Sequence, residues 1–213
     1  STTLLDKLGL HPGLRVETNC QTCNYTQLRM NGLGGSYSQI LINGRPVFSS
    51  MAGLYALEQI PSIMIRQIEV VKGVGSALYS SNAIGGTVNV ITKFAGKNSY
   101  EVSSRNSWIN GNAMDYQVNS SLSLISQTRN AGISLFTYHR NRDAYDHNGD
   151  GFSEMPHLKN NSFGLNAYLK PANNQKLELN FISLYEYRRG GDQLLVPPHM
   201  AQQSEEKTHH ILI

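Results

Sequence analysis

No stretch of this 213-residue chain approaches the roughly 18 to 20 consecutive apolar residues that a membrane-crossing helix requires. Helical spanning is therefore excluded. A β-barrel is not, because barrel strands alternate apolar and polar residues and score weakly on hydropathy. Charge is scarce as well: Asp, Glu, Lys and Arg make up 15% of the residues, against about 25% in an average soluble domain. The net charge of +3 is too small and too scattered to mark a nucleic-acid surface. No secretory leader opens the sequence, as expected where numbering starts in a mature protein. The cysteines are Cys20 and Cys23 alone, and without a second pair or matching histidines a zinc site lacks ligands. No Ser-His-Asp arrangement and no paired carboxylates stand in plausible context, so the chain reads as a non-enzyme.

What is present begins with a glycine-rich run from Gln67 to Lys93, QIEVVKGVGSALYSSNAIGGTVNVITK. It reads as a strand (Ile68 to Lys72), a loop with Gly73, Gly75, Gly85 and Gly86, and a second strand (Thr87 to Thr92). A phosphate cradle needs Lys and Ser or Thr directly after the last glycine; here Thr87 and Val88 follow, and Lys appears only at Lys93. A dinucleotide fingerprint needs a third glycine and a helix; Leu78 stands in place of the glycine, and the segment after the loop is β-branched. The remaining reading is a compact turn that packs backbone closely.

The same run resembles the C-terminal signature of the plug domain of TonB-dependent outer-membrane transporters. The match covers Ile68-Glu69-Val70, Lys72-Gly73, Ser76-Ala77-Leu78-Tyr79, Ala83-Ile84-Gly85-Gly86, Asn89 and Ile91-Thr92-Lys93. Upstream, Leu28 to Leu33 resembles another family segment, and Ile40 to Val47 resembles its hairpin around Asn43-Gly44. Ser80 and Val74 stand where the family usually has Gly and Pro; Ser80 would strain the turn if that position needs a positive φ. The resemblance implies an α+β plug over residues 1–95, within which Thr3–Leu8 and roughly Gly53–Gln59, the latter ending before Pro61, read as short helices. It further implies an outer-membrane receptor that imports a scarce ligand (haem, a ferric chelate or cobalamin) with energy passed on by the TonB complex. Outer-membrane lipid would surround it.

After residue 95 the composition shifts to long alternating segments. Tyr116, Val118, Leu122 and Leu124 oppose Gln117, Asn119, Ser121 and Ser123; Leu177, Leu179, Phe181, Tyr185 and Tyr187 oppose Lys176, Glu178 and Asn180. Period-two alternation over such lengths predicts antiparallel strands, near 99–109, 115–127, 131–142, 160–170, 175–188 and 207–213. Short turns at Thr128–Asn130 and Pro171–Gln175 trade places with long polar connections at Asp143–Lys159 and Gly190 to about Glu206, as transmembrane barrels do. Alternation alone favours a soluble antiparallel sandwich, the commoner solution to this pattern, which would make the chain a β-rich ligand- or carbohydrate-binding or adhesion module. With the resemblance, residues 96–213 are expected to be the first portion of a barrel of about 22 strands, cut within a strand at Ile211-Leu212-Ile213.

Candidate site residues follow. Asp146-His147-Asn148-Gly149-Asp150-Gly151 has the alternating oxygens and sharp-turn glycine of the first half of a calcium loop. Glu154, and Asp192 from a neighbouring loop, could complete the set; the same residues also make an ordinary acidic turn. Arg188 and Arg189 stand at a predicted strand end, where they could meet an anionic ligand or remain solvated. The scattered histidines, His139, His147, His157, His209 and His210, show no ligand spacing. From the resemblance, Phe48, Ser49, Ser50, Met51 and Tyr55 lie on a plug apex facing the ligand cavity, although they could equally pack the plug's helix. A redox C-x-x-C would sit at a helix start after a strand. The envelope location that the resemblance implies favours instead a structural disulfide between Cys20 and Cys23, since members from Bacteroidetes-like lineages often carry such an Asn-Cys-x-x-Cys-Asn segment.

Overall fold

The computed structural model describes residues 4, 8–9, 11–20, 25–34, 37–46, 59–73, 84–192 and 194–213. Two compact units result, one running to Thr92 and the other from Lys93 to Ile213. Among the described residues no helix is long and apolar enough to cross a membrane.

In the first unit, β1 (Leu14–Cys20) and β2 (Tyr25–Met30) form an antiparallel hairpin. A four-stranded sheet then assembles from β3 (Ser38–Ile42), β4 (Arg45–Pro46), β5 (Ile65–Lys72) and β6 (Gly86–Thr92), in the order β4-β3-β6-β5. Here β3 and β6 are parallel, and the other pairs are antiparallel. The core is built from Leu4, Leu8, Met30, Leu41, Ile60, Met64, Val88 and Val90, all essentially inaccessible. Val88 and Val90 sit on one side of β6, as a period of two requires. Asn43 (φ 51°) and Gly44 (φ 78°) take the left-handed pair of conformations that a two-residue hairpin turn demands. Asn31-Gly32 and Asn110-Gly111 do the same.

Polar residues of the plug-like motifs tie this sheet together. The Asn43 side chain donates to Thr92 Oγ1 (2.8 Å) and accepts from the Thr92 backbone N–H (2.9 Å). Gly44 N–H donates to Asn89 Oδ1 (2.9 Å), and Asn89 Nδ2 donates to Glu69 Oε2 (3.0 Å). One chain of side-chain hydrogen bonds therefore crosses from the β3–β4 turn over β6 to β5. Gly86 explains the closeness of this packing: a Cβ there would lie 2.5 Å from the Val71 carbonyl oxygen and 2.6 Å from Met30 Sδ.

The second unit is one six-stranded antiparallel meander: β7 (Ser99–Ile109), β8 (Ala113–Ile125), β9 (Ala131–Arg142), β10 (His157–Ala172), β11 (Gln175–Gly191) and β12 (Gln203–Leu212). Every strand pairs with its sequence neighbours. Among the described residues of this unit the strands form one sheet and not the two packed sheets that a sandwich needs. The register divides the side chains cleanly. One face carries Asp115, Gln117, Phe136, Tyr138, Asn160, Ser162, Leu184, Glu186 and Arg188, all buried. The other exposes Val118, Leu122, Leu124, Phe163, Leu169, Leu177, Leu179 and Ile211. A sheet that buries its polar face and exposes its apolar one inverts the pattern of a soluble protein and matches a lipid-facing barrel wall. Strand bounds differ from the alternation-based ranges mainly at the loop ends: β10 begins at His157 and β11 runs to Gly191, because ladder hydrogen bonds continue past the last alternating apolar residue.

Candidate functional site

The long connections, 143–156 between β9 and β10 and 192–202 between β11 and β12, emerge at the same end of the meander. The first closes on itself through paired backbone bonds between Tyr145 and Met155 (2.9 and 3.1 Å). Within it the acidic side chains hold the turn. Asp146 Oδ1 accepts from Gly149 N–H (2.6 Å) and Oδ2 from Gly151 N–H (2.8 Å). Asp150 Oδ1 accepts from Phe152 N–H (2.8 Å), and Glu154 Oε2 from His147 N–H (2.6 Å). Carboxylate oxygens of Asp146, Asp150 and Glu154 come within 4.8 Å of one another. Donated N–H bonds, first of all from Gly151, hold the Asp146 carboxyl below its ordinary pKa, because a carboxylate that accepts hydrogen bonds is favoured over the acid.

Of the expected calcium set, Asn148 turns to Asp150 instead: its Nδ2 donates to Asp150 Oδ2 (2.9 Å), and its Oδ1 accepts from Asp150 N–H (3.2 Å). Asp192 lies outside the carboxylate group but near it, since a Cβ on Gly151 would be 3.8 Å from Asp192 Oδ1. The two long loops are stitched together. Ser153 N–H donates to the Gly191 carbonyl (3.0 Å), Gly191 N–H donates to Ser153 Oγ (3.0 Å), and Phe152 bridges Asp192.

Arg188 and Arg189 point to opposite faces of β11. Arg188 is buried and donates through Nε to Glu186 Oε1 (2.5 Å). Glu186 also accepts from Asn160 Nδ2 (3.1 Å), whose Oδ1 accepts from Ser162 Oγ (2.9 Å). Arg189 donates to Gln203 Oε1 (2.8 Å) and to the Val196 carbonyl, so it fastens the 192–202 connection. A further pair escaped sequence reasoning: Arg140 grips Asp115 with two bonds (2.9 and 2.6 Å) on the same buried face as Glu186. Its only trace in the sequence is a charge at a polar-face position of each strand.

The histidines are not gathered into a site. His139 stands between Tyr116 Oη (2.7 Å) and Asn161 Oδ1 (2.6 Å), His209 bonds Ser183 Oγ (2.9 Å), and His147 bonds Tyr145 Oη (3.1 Å). Phe48, Ser49, Ser50, Met51 and Tyr55 lie outside the described residues, as do Cys23 and the Cys20 side chain, and with them the expected disulfide.

A family model described as TonB-dependent Receptor Plug Domain matches residues 1–87. The vitamin B12 transporter BtuB of Vibrio vulnificus (strain YJ016) is 35% identical over 91 residues, which is 43% of this chain and 15% of that protein. Among solved structures, the siderophore receptor PirA from Acinetobacter baumannii superposes with a TM-score of 0.69 at 20% identity, over 88% of this chain and 29% of the other. A mutant ferric enterobactin receptor PfeA from Pseudomonas aeruginosa, in complex with enterobactin, gives a TM-score of 0.71 at 18% identity, over 99% and 36%. At those identities the structural likeness concerns the fold. The chain spans well under half the length of each of these proteins. Residues 1–87 thus match the plug domain of TonB-dependent receptors, and the six-stranded meander that follows them shares the fold of these solved receptors.

Proposed function

We propose that this chain is part of an outer-membrane receptor that binds a scarce extracellular ligand and imports it with energy transmitted by the TonB complex. The observation that carries the reading is the succession of a matched plug domain and a wall with an apolar exposed face and a polar, ion-paired buried face. The named relatives handle vitamin B12 or ferric siderophores. Cobalamin and an iron chelate, haem included, are accordingly the ligand classes proposed here. Phe48, Ser49, Ser50, Met51 and Tyr55 are proposed to contact the ligand from the plug, with Arg188 and Arg189 acting at the wall: Arg189 by holding the loop, Arg188 through its pair with Glu186. The test is uptake by cells that lack their own receptors and express the full-length protein. Labelled cobalamin, haem and ferric chelates are supplied with and without an intact TonB system. Energised uptake of one class is expected; no uptake of any overturns the reading.

Calcium is proposed as a structural ion of the 143–156 loop. Its support is a donor set of hard oxygens on Asp146, Asp150 and Glu154 that already converge. Each carboxylate has lone pairs beyond those its N–H donors occupy. Titration calorimetry on the full-length receptor should show calcium binding that Asp150→Ala abolishes; absence of heat with the unmodified protein refutes the proposal.

A further inference from the structure

We infer that Asn166 is a positioning residue for transport, holding the connection that follows β6 against the barrel wall so that it acts as a stop for force applied to the plug. The inference rests on the proposed TonB-driven function. Its basis is how the segment Lys93–Asn98 is held. This segment links β6 to β7, and a short link between two units would ordinarily be slack. Here it is fastened at successive points. Asn166, on β10 and fully buried, donates through Nδ2 to the Lys93 carbonyl (2.8 Å). The Phe94 ring lies under Lys176 Nζ (5.7 Å to the centroid), which also sits over Tyr168 (5.9 Å). Ala95, itself buried, packs at Gly132, where an added Cβ would stand 3.0 Å from Ala95 Cβ and 2.5 Å from the Tyr168 ring. Asn98 Oδ1 accepts from Ile125 N–H (2.7 Å). Strands β8, β9, β10 and β11 each contribute a contact to this six-residue segment, at Asn98, Ala95, Lys93 and Phe94 respectively.

The mechanical consequence follows from chain geometry. A plug drawn from its N-terminal side unravels towards Thr92, and the load then arrives at Lys93. With the segment clamped, extension ends there, and β7 carries no load. With the clamp released, the six residues pay out and add about 20 Å of extended chain. The amide of Asn166 is the centre of the clamp because it is a fully buried side-chain donor to the segment's backbone.

The test is single-molecule pulling of the full-length receptor in a bilayer, attached through its N-terminal end. Asn166→Asp keeps the shape but loses the donor when ionised; Phe94→Ala loosens the clamp from the linker side and leaves the wall intact. Both should lengthen the released chain by about 20 Å and lower the force of the last rupture, while gel mobility shows a folded barrel. Unchanged released length in both variants overturns the inference, as does a lower barrel stability with no change in length, which would mark Asn166 as merely structural. Pulling needs no TonB and no ligand. A failed uptake experiment would therefore sink the proposed function and leave this measurement standing.

Discussion

Gly86 offers a quantitative test of the idea that the glycines of the 73–86 loop serve packing. Its φ of +143° lies in a region that side chains avoid, at a cost on the order of 1–3 kcal/mol. A methyl group there would also meet the Val71 carbonyl oxygen at 2.5 Å and Met30 Sδ at 2.6 Å. Met30 can shift, but the Val71 carbonyl belongs to β5, whose ladder with β6 runs through Val71–Thr87 and Lys72–Gly86. Moving it breaks the end of that ladder, an overpacking cost of about 1–3 kcal/mol. Gly73, at φ +80°, has nothing within 4 Å of its would-be Cβ, so Gly73→Ala carries only the left-handed penalty of about 1–2 kcal/mol. Gly86→Ala is therefore expected to exceed Gly73→Ala by about 2 kcal/mol, roughly a thirtyfold difference in an opening equilibrium. Hydrogen exchange of β5 and β6 amides in the full-length protein reads this directly, as a thirtyfold faster exchange in the Gly86 variant relative to the Gly73 one. Equal exchange in the two would refute the packing role and reopen the question of what the glycines do.

Other consequences concern the wall and the acidic loop. Arg188→Met leaves the buried Glu186 without its cation and should cost about 3–5 kcal/mol; adding Glu186→Leu should recover much of this, measured as folding yield into vesicles. Leu179→Arg places a charge on the exposed apolar face and is expected to cost about 2–4 kcal/mol if lipid covers that face. Ser121→Arg on the opposite face should cost less in the same assay. Because Asp146 is held below its ordinary pKa, the stabilisation its hydrogen bonds give the loop is complete above the unfolded carboxylate pKa. That stabilisation fades as pH falls through the lower folded value. Proton exchange of Gly149 and Gly151 amides should accordingly stay protected at mildly acidic pH in the native protein and lose protection in Asp146→Ala.

Much of this architecture was legible from local chemistry. Period-two alternation located the six strands of the wall, since side-chain direction along a strand depends only on residue parity. Asn43-Gly44 announced its turn because both residues tolerate positive φ, and Asn31-Gly32 and Asn110-Gly111 carried the same signal unused. The glycine spacing only excluded a phosphate cradle; the plug came from the resemblance carried by the motifs at Leu28–Leu33, Ile40–Val47 and Ile68–Lys93. Whether the alternating segments formed one wall or two packed sheets was beyond their reach, because that depends on register between distant strands.

What the sequence by itself determined, then, is a set of plug-like motifs followed by strands with one apolar face. The tertiary structure alone decided which polar groups meet. Arg188 looks in sequence like a loop-end cation and is instead buried against Glu186, its same-face neighbour on β11, which also accepts from Asn160 across the ladder. Asp115 finds Arg140 across a strand pair, and Asn166 finds Lys93 from far along the chain. The meetings of Asp115 with Arg140 and of Asn166 with Lys93 are set by the pairing and register of the ladder. Those are properties of several strands at once, and no single segment encodes them.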